Sequence, residues 1–114
     1  ARDKLIAISR DSKEKEVFRE SALRALYSGD REKIVQYVQP VLQDASASAR
    51  LHALAIQMAL DIRRSMAHRS SAKAQRADDF DLLIQQIKEG KGANTSDEVQ
   101  RMADKYLLLV KPKF

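Results

Sequence analysis

Apolar residues recur along this chain at spacings of three and four, the period of helices that turn one face to a core. Over Arg2 to Arg10, Leu5, Ile6 and Ile8 predict a short first helix. Asp11 with Glu14 three residues on has the pattern of a capping box and predicts the start of a second helix. That helix is expected to bury Val17, Phe18, Ala22, Ala25 and Leu26, with Leu23 and Tyr27 widening the stripe. Glu20 and Arg24 stand as an exposed pair one turn apart. Gly29 supplies a stop and Asp30 the next cap. A third helix carries Ile34, Val35, Val38, Val41 and Leu42. Pro40 lacks the amide proton that would bond the Gln36 carbonyl and disfavours a helical Gln39, so a kink or break is expected there.

Asp44 to Ser48 reads as a polar linker in which Ser46 or Ser48 can cap the next helix. From there to about residue 67, Leu51, Leu54, Ala55, Met58 and Ile62 form one stripe, and Ala53, Ile56, Ala59 and Leu60 cover most of the remainder. Its polar positions, Arg50, Gln57, Asp61, Arg64 and His68, fall on one narrow line. A helix this apolar is surrounded by others, which makes residues 48–67 the expected centre of the fold. His68 to Ala77 has no large apolar residue, so residues 66–79 read either as helix throughout or as helix, loop, helix. A fresh amphipathic segment then carries Phe80, Leu83, Ile84 and Ile87, with Asp78 or Asp79 at its start. Gly90 to Asn94 is a loop. Thr95 with Glu98 predicts a second capping box, opening a helix that buries Val99, Met102, Ala103, Tyr106 and Val110.

These elements define an all-α fold, a bundle of about five or six helices joined by short connections. The domain is expected to occupy residues 1–110, with 111–114 a short basic tail. A second arrangement is two stacked helical hairpins of the solenoid kind. Pro40, then Asp44, then Arg50 opening a long apolar helix resemble a HEAT-type repeat over roughly one repeat's length. Composition agrees with helix: three Gly and two Pro leave few turn residues, and 44% apolar with 32% charged residues is globular. The chain has no Cys, which excludes disulfides, thiolate nucleophiles and Cys-ligated zinc. The apolar run Leu51 to Ile62 is broken by His52, Gln57 and Asp61 and is too short and polar to span a bilayer. The first residues carry no secretory signal pattern, and a cytoplasmic, intracellular setting is expected.

Charge changes the picture in one place. The stretch 45–77 holds Arg50, Arg63, Arg64, Arg69, Lys73 and Arg76 against Asp61 alone, and it accounts for the whole formal charge of +5. The segments on either side are balanced to within one charge. A local excess on a balanced background points to a partner surface. On a helix, Arg63, Arg64, His68, Arg69, Lys73 and Arg76 fall on neighbouring faces about one turn apart, a row that suits phosphates or an acidic protein. A solvated helix end accounts for the same row. The aromatic, GXXG and zinc signatures of common nucleic-acid modules are missing.

Other candidates are weaker. The loop Gly90 to Ser96 precedes a helix N-terminus but lacks phosphate-loop spacing, and reads as a plain connection. His52 and His68 lie too far apart along one helix to share a metal ion. His52 is expected to be partly buried with a local hydrogen bond. Asp78, Asp79 and Asp81 read as helix capping. Glu14, Glu16 and Glu20 with Lys13, Lys15 and Arg19 read as a mixed solvated face. No nucleophile stands beside a base, and no catalytic residue, cofactor or metal is expected. Leu107, Leu108 and Leu109 cannot all face one core, so at least one is expected either to meet another chain or to wedge between two neighbours. Together these features imply a non-enzymatic helical domain that docks a protein partner. The alternative is a nucleic-acid-binding domain that contacts phosphates through residues 63–76. Self-association remains open.

Overall fold

The computed structural model describes residues 2–69, 77–112 and 114, the side chains of 67–69 excepted. In chain order come α1 (Arg2–Arg10), α2 (Glu16–Gly29), a 3₁₀ turn (Arg31–Lys33), α3 (Ile34–Leu42), α4 (Ala49–Arg69), α5 (Asp79–Lys88) and α6 (Asp97–Val110). No strand occurs among the described residues. The helix that is apolar nearly all round takes the centre: α4 packs on α2, α3 and most extensively α6. It buries Leu51, His52, Ala55, Ile56, Met58, Ala59, Leu60 and Ile62, while Arg50, Asp61 and Arg64 stay exposed along the polar line. Consecutive helices pair, α1 with α2, α3 with α4 and α5 with α6, and the α4–α6 contact joins the last pair to the rest. The radius of gyration, 13.6 Å, is that of a close-packed bundle; about 13 Å is expected at this length. No helix among the described residues is long and apolar enough to cross a membrane.

Two of the expected caps form. The Ser48 hydroxyl accepts the Leu51 amide at 3.2 Å and opens α4. Asp78 opens α5 in a reciprocal capping box with Asp81, each carboxylate accepting the other residue's amide. The other three do not: Asp30 precedes the 3₁₀ turn with no side-chain cap bond. Asp11 Oδ1 takes the Lys13 amide and Glu14 Oε1 the Lys15 amide, so this segment is a turn and α2 starts later, at Glu16. Likewise Asn94 Oδ1 accepts the Ser96 amide, and α6 begins after Ser96 with no side-chain cap from Thr95 or Glu98. In the first loop the Asp11 carbonyl, not its carboxylate, takes the Glu14 amide at 3.1 Å.

The buried face of α2 is not the expected one. Val17 and Phe18, expected in the core, are 62% and 52% exposed, and Ala25 is exposed too. The buried stripe is Arg19, Ala22, Leu23 and Leu26. Arg19, expected on a solvated face, is 1% exposed. Its Nε donates to the Ser9 carbonyl and its Nη2 to Asp44 Oδ2, both at 3.0 Å. The carbonyl of Asp44 in turn accepts from His52 Nε2 at 2.8 Å. One guanidinium thus ties the end of α1, the face of α2, the α3–α4 linker and the first turns of α4.

Pro40 neither breaks nor ends α3, which runs on to Leu42. Only Val41 and Leu42 follow it in the helix, and both are fully buried. Burying two such side chains contributes about 3–6 kcal/mol, enough to offset the roughly 3 kcal/mol cost of an interior proline.

Candidate functional site

The residues of the basic row have different fates. Arg63 turns away from solvent: Nη2 bonds Asp78 Oδ2 at 2.7 Å, the guanidinium lies 5.9 Å from the Phe80 ring centroid, and the side chain is 17% exposed. It joins α4 to the start of α5. Arg64 is exposed on the outer line of α4. His68 and Arg69 lie in the last turn of α4, but their side chains, like Lys73 and Arg76 altogether, fall outside the described residues. Of the described row, then, Arg64 is exposed to solvent, while Arg63 is held by a carboxylate.

Beneath Arg63 lies a polar cluster that sequence reading took for capping alone. Asp81 completes the box with Asp78 but is fully buried, and its Oδ1 accepts the Tyr106 hydroxyl. The Tyr106 ring meets Phe80 edge-on at 5.8 Å. Burial raises the Asp81 carboxyl above its usual range and pushes the Tyr106 phenol well up, helped by the bond to Asp81. Burial pushes the Asp78 carboxyl up as well, but the Asp81 amide and Arg63 outweigh it and hold that carboxyl below its usual value. The carboxylate and the phenol are in contact, and the two larger surface hollows beside α6 are lined by neither. The bond between Tyr106 and Asp81 holds α6 against the start of α5. Among the described residues no group of three His, Asp or Glu side chains is placed to hold a metal ion.

The outer face of α6 is different. Its inner face, Val99, Ala103, Tyr106 and Val110, is buried, and Leu107 packs against the core from one flank. The helical step then carries Leu108 and Leu109 outward, 62% and 44% exposed. They end a face that otherwise bears Asp97, Arg101, Asp104 and Lys105, and with these they line an open hollow that reaches Lys88. Lys88 bonds Asp104 at 3.1 Å across α5 and α6. Phe114, beyond the helix, is also exposed. Of the three leucines singled out from the sequence, one belongs to the core and two to the surface. Around the helix, Arg101 and Lys105 also border a groove between α2, α4 and α6 with Ala53, Leu54 and Met102 in its lining.

The loop before α6 is a plain connection. Gly90 adopts φ +78°, and Gly92 lies so close to Ile87 that a Cβ would meet Cγ1 at 2.6 Å. The first turn of α6 carries Asp97 and Glu98, which oppose an anion at this N-terminus. Val17 and Phe18 form a second exposed apolar pair that the periodicity placed inside. No model of a known family, no curated protein and no solved structure matches this chain.

Proposed function

We propose that this protein is a non-enzymatic helical docking domain whose protein partner seats on the outer face of α6. The observation that carries the reading is the pair Leu108 and Leu109, turned to solvent side by side on a helix whose core-facing side is already filled. Adjacent exposed leucines at the end of a charged face have the form of an interface core with a polar rim. The test is affinity capture by the intact chain and by a Leu108→Ser/Leu109→Ser variant over a salt series. A partner held by the first, lost by the second and little affected by salt supports the reading; equal capture by both overturns it.

A second reading, phosphate binding through residues 63–76, draws on the charge of that stretch, all of the molecule's net +5. The commitment of Arg63 to Asp78 removes one cation from the row. Binding of labelled duplex or single-stranded nucleic acid that falls steeply with salt, and is lost when Arg64, Arg69, Lys73 and Arg76 become Ala, would favour it over the first.

A further inference from the structure

The groove between α2, α4 and α6 has the shape and charge to define what docks. Ala53 and Leu54 on α4 and Met102 on α6 are half-buried, and Leu54 and Met102 pack against the core from above. They give the groove of about 560 Å³ an apolar floor. Its rims are charged unevenly. On the α2 side Glu20 is already engaged, accepting from Arg50 at 3.2 Å and lying 3.8 Å from Arg24. On the α6 side Arg101 and Lys105 are exposed, one turn apart, with Glu98 at the end of the same rim; neither cation forms an ion pair among the described residues, and with Arg24 and Arg50 against Glu20 and Glu98 the lining keeps a positive excess. Like charges at this spacing repel along a helix, an unfavourable term that an acidic partner would relieve.

The backbone of the occupant follows from the walls. The groove runs between helices, and no strand edge exists among the described residues to pair with an extended peptide. An extended chain lying there would leave its own amides and carbonyls unpaired, whereas a helix brings its hydrogen bonds with it. Lining residues extend from Arg50 to Gln57 on α4 and from Glu98 to Lys105 on α6. Each is a stretch of two turns, about 10 Å.

We propose that this groove receives a short acidic amphipathic helix of the partner protein, its apolar side on Ala53, Leu54 and Met102 and its carboxylates facing Arg101 and Lys105. The proposal rests on the docking reading above and extends it, because Arg101 and Lys105 border both this groove and the hollow that holds Leu108 and Leu109. A helix seated here can continue over that ridge.

The experiment selects displayed random peptides of about 16 residues, long enough for four helical turns, against the whole chain. The recovered binders are then titrated against it and against Arg101→Glu/Lys105→Glu, a surface change whose folding is checked by thermal melting. Expected are binders with apolar residues at i, i+3 or i+4 and i+7, net negative charge, and about tenfold weaker binding to the charge-reversed variant. On titration the methyl resonances of Ala53, Leu54 and Met102 shift. Basic or extended binders, or binders indifferent to the reversal that leave those methyls unmoved, overturn the proposal. If such binders still depend on Leu108 and Leu109, the docking domain stands and only its acidic helix falls. A dimer of this chain lost on charge reversal would replace the acidic helix with a second copy. Failure to recover any peptide, together with salt-sensitive nucleic-acid binding, would overturn both.

Discussion

At Arg19 a guanidinium stands where helical periodicity calls for an apolar side chain. Positions 19, 22, 23 and 26 form the buried stripe of α2, so the period was legible in the sequence, but its first member was hidden by residue type. What keeps the charge inside is Asp44, 25 residues on, together with the Ser9 carbonyl. No local pattern announces partners that distant. Arg19→Ala removes a fully packed side chain together with its bonds to Ser9 and Asp44, so it should cost about 2–5 kcal/mol in urea unfolding. Arg19→Met, which keeps an apolar stem against the core, should cost less because Asp44 retains its Ser46 bonds and partial access to water. A loss under about 1 kcal/mol for the alanine variant would show that the network is incidental. His52 gives the cluster a pH dependence. Its Nε2 donates to the Asp44 carbonyl, so Nδ1 carries no proton, and that nitrogen is buried without a partner in the structure. Burial lowers the imidazole's pKa below its ordinary 6.5. Arg19 also disfavours the charged ring, while Asp44 and Glu16 favour it less strongly than burial opposes it. In this window the unfolded chain binds the proton more readily, so the His52 contribution is complete above the unfolded value and is lost as pH falls through the folded one. Unfolding free energy should fall from about pH 7 to about pH 5, and His52→Gln should flatten that slope. An unchanged slope in the variant would place the titration elsewhere.

Among the elements, existence and order were legible while starts were not. Ser48 and Asp78 cap as their spacing implies, taking the Leu51 and Asp81 amides. Asp11 and Thr95 head the same type of pattern but lose to tighter turns at Lys13 and Ser96. The difference lies in a turn of two residues, which capping-box spacing does not register. Val17 and Phe18 lie in the first turn of α2, off its buried stripe and at the surface. The α5–α6 loop is set by close approach rather than by turn chemistry alone. A Cβ on Gly92 would lie 2.6 Å from Ile87 Cγ1 and 3.2 Å from Ile87 Cα, so backbone as well as side chain must yield. Gly92→Ala should therefore destabilise by about 1–3 kcal/mol. Gly29, the last residue of α2, has nothing within 4 Å of a Cβ. Gly29→Ala should be neutral or stabilising by up to about 1 kcal/mol. Thermal melts of the two variants that moved together would contradict this account of the loop.

For the whole molecule, the all-helical fold around a buried α4 follows from one property of the sequence, a helix with hardly any polar side. The basic stretch was legible as composition, but composition does not say which cations meet carboxylates. Arg63 has Asp78 beside it only because α5 begins where α4's inner flank passes. The leucine run was the more informative signal, since three adjacent leucines cannot share one side of a helix, and the fold sends Leu108 and Leu109 outward. The groove bordered by Arg101 and Lys105 left no local mark, because it joins three helices distant in sequence. The most direct test of the docking claim places a photoreactive amino acid at position 108 in one sample and at position 64 in another, and irradiates each in cell extract. Position 108 should give a discrete adduct that survives nuclease and disappears with protease, while position 64 gives none. A nuclease-sensitive adduct at position 64, with nothing at 108, would contradict the account and make the chain a phosphate-binding domain.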